Sequence, residues 1–350
     1  MHLETALAIF EGEGCEREAM IVCDNLGDAL LRQARYPEAE AYLQRALQSA
    51  ERMGDGPSLS VSLANLGILA LRRGRLAEGE RLLTQACLVA ERVQDSVYVS
   101  LWSSYLALLL HAQGKCGEAQ GSIRRAFSAG RKVPSCLGAA LVQLGWMRLT
   151  QVTFGHLEAL RLQANSTWSA CHCARCNKLL VGTERSIRRV LPLAGIEAET
   201  RVEALLILAS VLVLRECRDE ARQYLRLAQE EAQQGELAWL VAHATRVEAQ
   251  LEMLAGHFEQ ANQCFAQAHG LFHRYEMHLE EARTLSLHGT ALCLGSPNDG
   301  PSLAQLRRGA SYLREAARLA ENCQAPLDQH RIAWLLGHLS SSHEPSQARS

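Results

Sequence analysis

Between Asn25 and Ala34 the apolar residues Leu26, Ala29, Leu30 and Ala34 fall three and four apart, which places them on one face of a helix. Arg35-Tyr36-Pro37 interrupts that pattern, and Pro37, lacking an N–H, is tolerated only in the first turn of the next helix. A second apolar stripe runs through Ala39, Leu43, Ala46, Leu47 and Ala50, and stops at Met53-Gly54-Asp55-Gly56. The reading is two amphipathic helices joined by a tight turn, with Gly27 and Ala39 small enough to let the two backbones approach closely.

The same unit returns at a fixed spacing. Ala6, Ala46, Ala86 and Ala126 stand 40 residues apart, as do Glu38, Glu78 and Glu118, Gly74 and Gly114, and the triplets Asn25-Leu26-Gly27 and Asn65-Leu66-Gly67. A constant period of this size predicts a solenoid, in which each hairpin buries its apolar face only against its neighbours. The expected product of such an array is a long curved surface rather than a catalytic pocket.

The order Leu26-Gly27, Leu30, Ala34, Tyr36, Ala39, Leu43, Ala46 resembles the tetratricopeptide repeat, with its large, small, large, small, aromatic, small, large, small sequence. The second unit has Leu66-Gly67, Ala70, Gly74, Leu76, Gly79, Leu83 and Ala86; the third weakens at Ala107 but keeps Leu110, Gly114, Cys116, Ala119, Ile123 and Ala126. The phase returns at Leu208-Ala209, Leu212, Ala221, Leu225 and Ala228, and again at Gly256, Phe258, Ala261, Phe265 and Ala268. A last unit, Gly289, Leu292, Gly309, Leu313 and Ala316, is displaced eight residues by Ser296 to Pro301, and a helix from Leu327 to Leu339 reads as a cap. The 40-residue length resembles the longer-helix variant found in kinesin light chains, in Leu-Gly-Asn repeat adaptors, and in the helical region of large bacterial ATP-dependent regulators. The resemblance implies an all-α chain, an α-solenoid of tetratricopeptide helix hairpins wound as a right-handed superhelix.

This pattern divides the chain into an N-terminal array (1–153), an irregular insert with a cysteine-rich loop and an extra helix (154–195), a C-terminal array with its capping helix (196–340), and a disordered tail (341–350). Residues 1 to 10 fit only the second helix of a repeat, since Leu3 and Ala6 stand 40 before Leu43 and Ala46. Either the first helix belongs to a longer protein or this helix is a cap of its own.

Composition narrows the function classes. Apolar residues make up 48% and aromatics 5%, which suits Ala/Leu helices better than a β-sandwich. The formal charge of −2 predicts no bulk attraction to nucleic acid or anionic membrane. The spaced doublets Arg72-Arg73, Arg124-Arg125, Arg188-Arg189 and Arg307-Arg308 form no single basic patch. The Met1-His2-Leu3-Glu4 start is not that of a signal peptide, and no run of 18 apolar residues suggests a membrane span. Many of the twelve cysteines sit at interior repeat positions, such as Cys87 and Cys264, so a reducing, cytoplasmic setting is expected.

Candidate chemistry is sparse. No His-Glu-x-x-His pair, nucleophile elbow or phosphate loop occurs, so neither an enzyme nor a cofactor is expected. Cys171, Cys173 and Cys176 with His172 lie in a polar, aperiodic run from Asn165 to Lys178. Three thiolates and an imidazole could complete a zinc shell, but two Cys-x-x-Cys knuckles are needed for a ribbon and one is present; a disulfide or a chance loop cluster are the other readings. The better signal is the groove. In tetratricopeptide repeats the first helix of each unit lines the concave face, which by position would bring Asp24, Asn25, Asp28 and Arg32, then Asn65 and Arg72, then His111 to an exposed inner surface. There Asn could bond an extended peptide backbone and Arg could clamp acidic groups. The expected function is a non-enzymatic protein–protein interaction scaffold or adaptor holding a protein or peptide partner in that groove; the alternative is the helical sensor or relay region of a longer ATP-dependent transcriptional or signalling regulator.

Overall fold

Pro37 sits in the first turn of a helix and Gly54 ends it in the left-handed conformation (φ 65°). The two punctuation residues of the first full repeat therefore act where the sequence puts them. A computed structural model of the chain describes residues 2–162, 174–193, 195–295 and 300–341. The regular elements among them are sixteen α-helices: α1 (His2–Gly12), α2 (Glu16–Arg32), α3 (Tyr36–Met53), α4 (Gly56–Arg72), α5 (Leu76–Arg92), α6 (Ser96–Ala112), α7 (Cys116–Gly130), α8 (Pro134–Leu162), α9 (Ala174–Val190), α10 (Ala198–Leu214), α11 (Arg218–Gln234), α12 (Ala238–Ala255), α13 (Phe258–Arg274), α14 (His278–Leu294), α15 (Leu303–Asn322) and α16 (Pro326–Ser341). Each helix packs on the next, so the chain is an all-α solenoid of stacked hairpins.

The small residues set the helix spacing. Ala39, Ala46, Ala86, Ala126, Ala228, Ala268 and Ala316 are all fully buried. A Cβ on Gly67 would stand 2.7 Å from Leu83 Cγ, and one on Gly79 would stand 3.1 Å from the Gly67 carbonyl oxygen, so α4 and α5 are in near-backbone contact. Six of the turns share one geometry, a single residue at positive φ: Ala34, Gly74 and Gly114 after the first helices of the early hairpins, and Glu236, Glu276 and Gln324 between later helices.

Two regions differ from a simple reading of the repeat. α8 continues to Leu162, past the expected boundary at 153, and α9 follows it on the same stack. Of the polar run expected as a loop, residues 165–173 lie outside the described residues, while Ala174 to Lys178 form the start of α9 with Cys176 buried. The tail from 342 also lies outside them.

The array bends until its two halves touch. Gln33 Nε2 donates to Glu236 Oε2 at 2.8 Å, Arg73 donates to Glu276, and a Cβ on Gly114 would lie 3.1 Å from Pro326 Cγ. Three successive turns of the first half thus abut three successive turns of the second. The capping helix α16 is accordingly seated against α15, α14 and α6.

Candidate functional site

The first helices α2, α4 and α6 present their inner faces to α10, α12, α14 and α16, and the side chains between them are polar. On α2, Asn25 is exposed, while Asp28 and Arg32 are half-exposed and paired at 2.9 Å. Asp24 is half-buried between helices; its Oδ1 accepts from Ser62 Oγ at 3.3 Å and, more distantly, from Asn65 Nδ2 at 3.5 Å. Burial pushes the Asp24 carboxyl up to about 6, against the pull of those two donors.

Asn65 and Arg72 on α4 and His111 on α6 are buried, contrary to the expectation of an exposed row. Asn65 packs against Asp24 of the neighbouring α2, whereas Arg72 and His111 are covered by the second half of the chain. Arg72, with only 8% of its side chain exposed, donates to Glu199 Oε1 at 2.5 Å and to the Leu31 carbonyl at 3.0 Å. Its guanidinium lies 4.2 Å from the Trp239 ring centroid, and Trp239 Nε1 donates to the same Glu199 oxygen at 2.9 Å. Arg32 faces Glu199 and Glu197 at 3.5 and 3.7 Å. The acidic groups that Arg32 and Arg72 clamp are therefore the chain's own. Burial pushes the His111 imidazole down to about 4, and its Nε2 has no partner among the described residues.

Beyond Arg72 the interior continues as a cavity of about 150 Å³ between α4, α6, α8, α10, α12, α14 and α16. Glu203 accepts from Trp146 Nε1 at 2.9 Å, and burial, with the nearby Glu199 charge, pushes its carboxyl up to about 8. His243 Nδ1 accepts from Arg246 at 2.9 Å, and burial pushes that ring down to about 3, so it is neutral. Glu280 accepts from Arg246 at 2.6 Å and from Arg283 at 2.7 Å; although burial opposes it, these two cations hold its carboxyl far below the usual range. Arg283 also grips Asp328 on α16 through Nε and Nη2 at 3.1 and 2.9 Å.

The residues that matter most in this interior were not singled out from the sequence: Glu199, Glu203, Trp239, His243, Arg283 and Arg331. A signal existed. Glu199 and Trp239 are 40 apart, as are Glu203, His243 and Arg283, so the period that locates the core also locates an inward row. Of the cysteine candidates, Cys171 and Cys173 lie outside the described residues and Cys176 is buried in α9. Among the described residues no group of three or more His, Cys, Asp or Glu could hold a metal ion, and no helix is long and apolar enough to cross a membrane.

Residues 16–92 match the tetratricopeptide repeat family. A search of curated proteins finds no match. Among solved structures, the chain is similar to a signal transduction ATPase with numerous domains carrying a tetratricopeptide repeat sensor, from Pyrococcus horikoshii, with 13% identity and a TM-score of 0.45 over 95% of this chain and 46% of that one. The chain thus spans less than half the length of that ATPase. It is also similar to a tetratricopeptide repeat protein from Parabacteroides merdae, with 16% identity and a TM-score of 0.44 over 92% and 98% of the two chains. A third is a Rap protein complexed with competence and sporulation factor, with 14% identity and a TM-score of 0.45 over 93% and 98%. Residues 16–92 are thus tetratricopeptide repeats, and the hairpins after them pack with the same alternation of small and large residues.

Proposed function

We propose that the protein is a non-enzymatic interaction scaffold, and that its partner is a peptide segment lying along the inner face of α2. The observation that supports this is selective covering of the groove. The second half of the chain occupies the inner faces of α4 and α6, whereas Asn25, Asp28 and Arg32 on α2 retain solvent access. Asn25 offers a backbone both a donor and an acceptor, and the Asp28–Arg32 pair offers one charge of each sign within one turn. Asn65 and Arg72 serve this surface from beneath, Asn65 by holding Asp24 and Arg72 by fixing Glu199 beside Arg32. His111 lies deeper and belongs to the interior.

The test is affinity capture from the source cell with wild-type protein and with the Asn25→Ala, Arg32→Ala double variant, followed by calorimetry on peptides from whatever the wild type alone enriches. Loss of about 1–3 kcal/mol is expected, since one neutral and one partly screened charged hydrogen bond are removed. Equal capture by both proteins would move the partner to another face.

A further inference from the structure

The inward row of the later repeats extends one step beyond Arg283. Arg331 follows it by 48 residues, the 40-residue period lengthened by the eight-residue displacement at 296–301. Glu203, His243, Arg283 and Arg331 all line the one cavity of about 150 Å³. The first three have hydrogen-bond partners there: Trp146 for Glu203, Arg246 for His243, and Glu280 and Asp328 for Arg283. Arg331 does not conform: it is only 5% exposed, yet its Nε and Nη2 have no acceptor among the described residues.

A guanidinium stays charged in a protein, and burying it without a counter-charge is strongly unfavourable. The local charges do not balance. Arg246, Arg283 and Arg331 face two carboxylates, Glu280 and Asp328, and both of these are engaged by Arg246 and Arg283. His243 and His111 are neutral, and Glu203, held up near 8, adds little negative charge at neutrality. Burial and the fields of Arg283 and Arg246 push Arg331 down to about 10 in spite of Asp328, so it remains a cation without a dedicated anion.

The two unsatisfied atoms are closed to water in the ligand-free protein, so an anion in the adjoining cavity reaches them by a shift of the Arg331 side chain, and their geometry specifies what would satisfy them. Nε and Nη2 form the edge of the guanidinium that takes a carboxylate side-on, and Arg283 uses that same pair of atoms to hold Asp328 at 3.1 and 2.9 Å. The rest of the lining includes apolar surface from Tyr105, Leu108, Trp146 and Leu149. A cavity of about 150 Å³ is the size that admits one benzene ring, which is too small for a folded partner or an extended segment. We propose that this interior cavity is a binding site for a small free organic monocarboxylate, its carboxylate on the Nε/Nη2 edge of Arg331 and an apolar body of about one ring against the α6 and α8 wall. This site is separate from the peptide surface on α2 and does not depend on it.

Benzoate is the probe, with benzamide as its neutral counterpart, titrated by calorimetry into the full chain. Saturable binding of one benzoate is expected, at least about tenfold tighter than benzamide, because only the anion answers the unpaired charge. Arg331→Met should weaken benzoate at least about tenfold while leaving the melting temperature of the ligand-free protein unchanged or raised, since an uncompensated buried charge is removed. Leu149→Phe, which fills the wall and keeps the charge, should weaken benzoate similarly and decides the matter should Arg331→Met fail to fold. No saturable benzoate binding, equal binding of benzamide, or full binding by the Leu149→Phe protein would overturn the proposal. So would a lowered melting temperature of ligand-free Arg331→Met, which would mark the arginine as a structural ion. Displacement of benzoate by a short peptide with a free C-terminal Phe, but not by its amide, would assign the cavity to a chain terminus and overturn the free-acid assignment.

Discussion

Arg73 donates to the carboxylate of Glu276, 203 residues further along the chain, and Gln33 reaches Glu236 at the same separation. Equal separations mean that the two halves of the solenoid meet in register, turn against turn. The consequence is a groove that is closed over α4 and α6 and still accessible along α2.

That closure depends on close approach more than on charge. Gly74 adopts φ +78°, and a Cβ there would stand 2.5 Å from the Sγ of Cys323 at the end of α15 in the second half. Gly74→Val should therefore destabilise the protein by about 2–4 kcal/mol, combining left-handed strain with the clash, and should enlarge the radius of gyration in small-angle scattering. Arg73→Ala removes only partly exposed ion pairs and should cost under about 1 kcal/mol. A Gly74→Val protein with wild-type dimensions would show that the turns do not govern closure.

Arg72 is expected to behave as a core residue. Removing it leaves Glu199 buried at 10% exposure with Trp239 as its nearest remaining close donor. Arg72→Ala should cost about 3–5 kcal/mol in urea denaturation, the usual penalty for breaking a buried pair. Arg72→Met combined with Glu199→Leu should recover most of that loss, because neither charge is then stranded. If the double variant is no more stable than the single one, the pair is not coupled as the distances indicate.

The fold was legible where the period holds, from position 6 to about 153 and again from about 196 to 320, because hairpin packing is local: a small residue at 27 or 67 answers a large one at 43 or 83, within one period. The interior site was not legible in the same way. Arg72 on its own is a polar residue near a helix end, and nothing local distinguishes a solvated Arg from one that will meet Glu199, 127 residues away. The stretch between 154 and 195 hides that meeting further, since it shifts the phase on which position matching relies. Only repetition within the second half, Glu203 to His243 to Arg283, offered a trace, and it required treating polar positions as periodic as well as apolar ones.

Gly67→Leu should damage the first array specifically. Its Cβ would already lie 2.7 Å from Leu83 Cγ, so a longer side chain must force α4 and α5 apart. A loss of about 1–3 kcal/mol is expected in a thermal melt followed by circular dichroism. Leu83→Ala introduced into the Gly67→Leu protein should restore part of it by vacating that volume, although the same change costs about 2–5 kcal/mol in the wild type. Additive losses in the double variant would place the strain elsewhere.

The acid–base behaviour of Glu203 gives the stability of the fold a measurable slope. Its carboxyl is pushed from an ordinary 4.5 to about 8 by burial first and by Glu199 second, while Trp146, Arg72 and Gln143 pull the other way. Below about 4.5 the folded and unfolded chains both hold the proton, and the shift contributes nothing to the pH dependence. As pH rises from there, the unfolded chain releases its proton and the folded chain keeps it, so stability falls until the folded value is passed. His243 and His111, pushed down to about 3 and 4, act on the other side: they withdraw stability as pH drops below 6.5, and little above it. The window from 6.5 to 8 therefore isolates Glu203 from the buried histidines. Across it the wild type should lose on the order of 1–2 kcal/mol, one proton's worth over about 1.5 pH units. Glu203→Gln keeps an oxygen for the Trp146 N–H and has no proton to lose, so its denaturation midpoint should be nearly flat over the same window. Parallel slopes in the two proteins would mean that Glu203 is ionised in the folded state, and that the interior beside Arg72 carries one more negative charge than its burial implies.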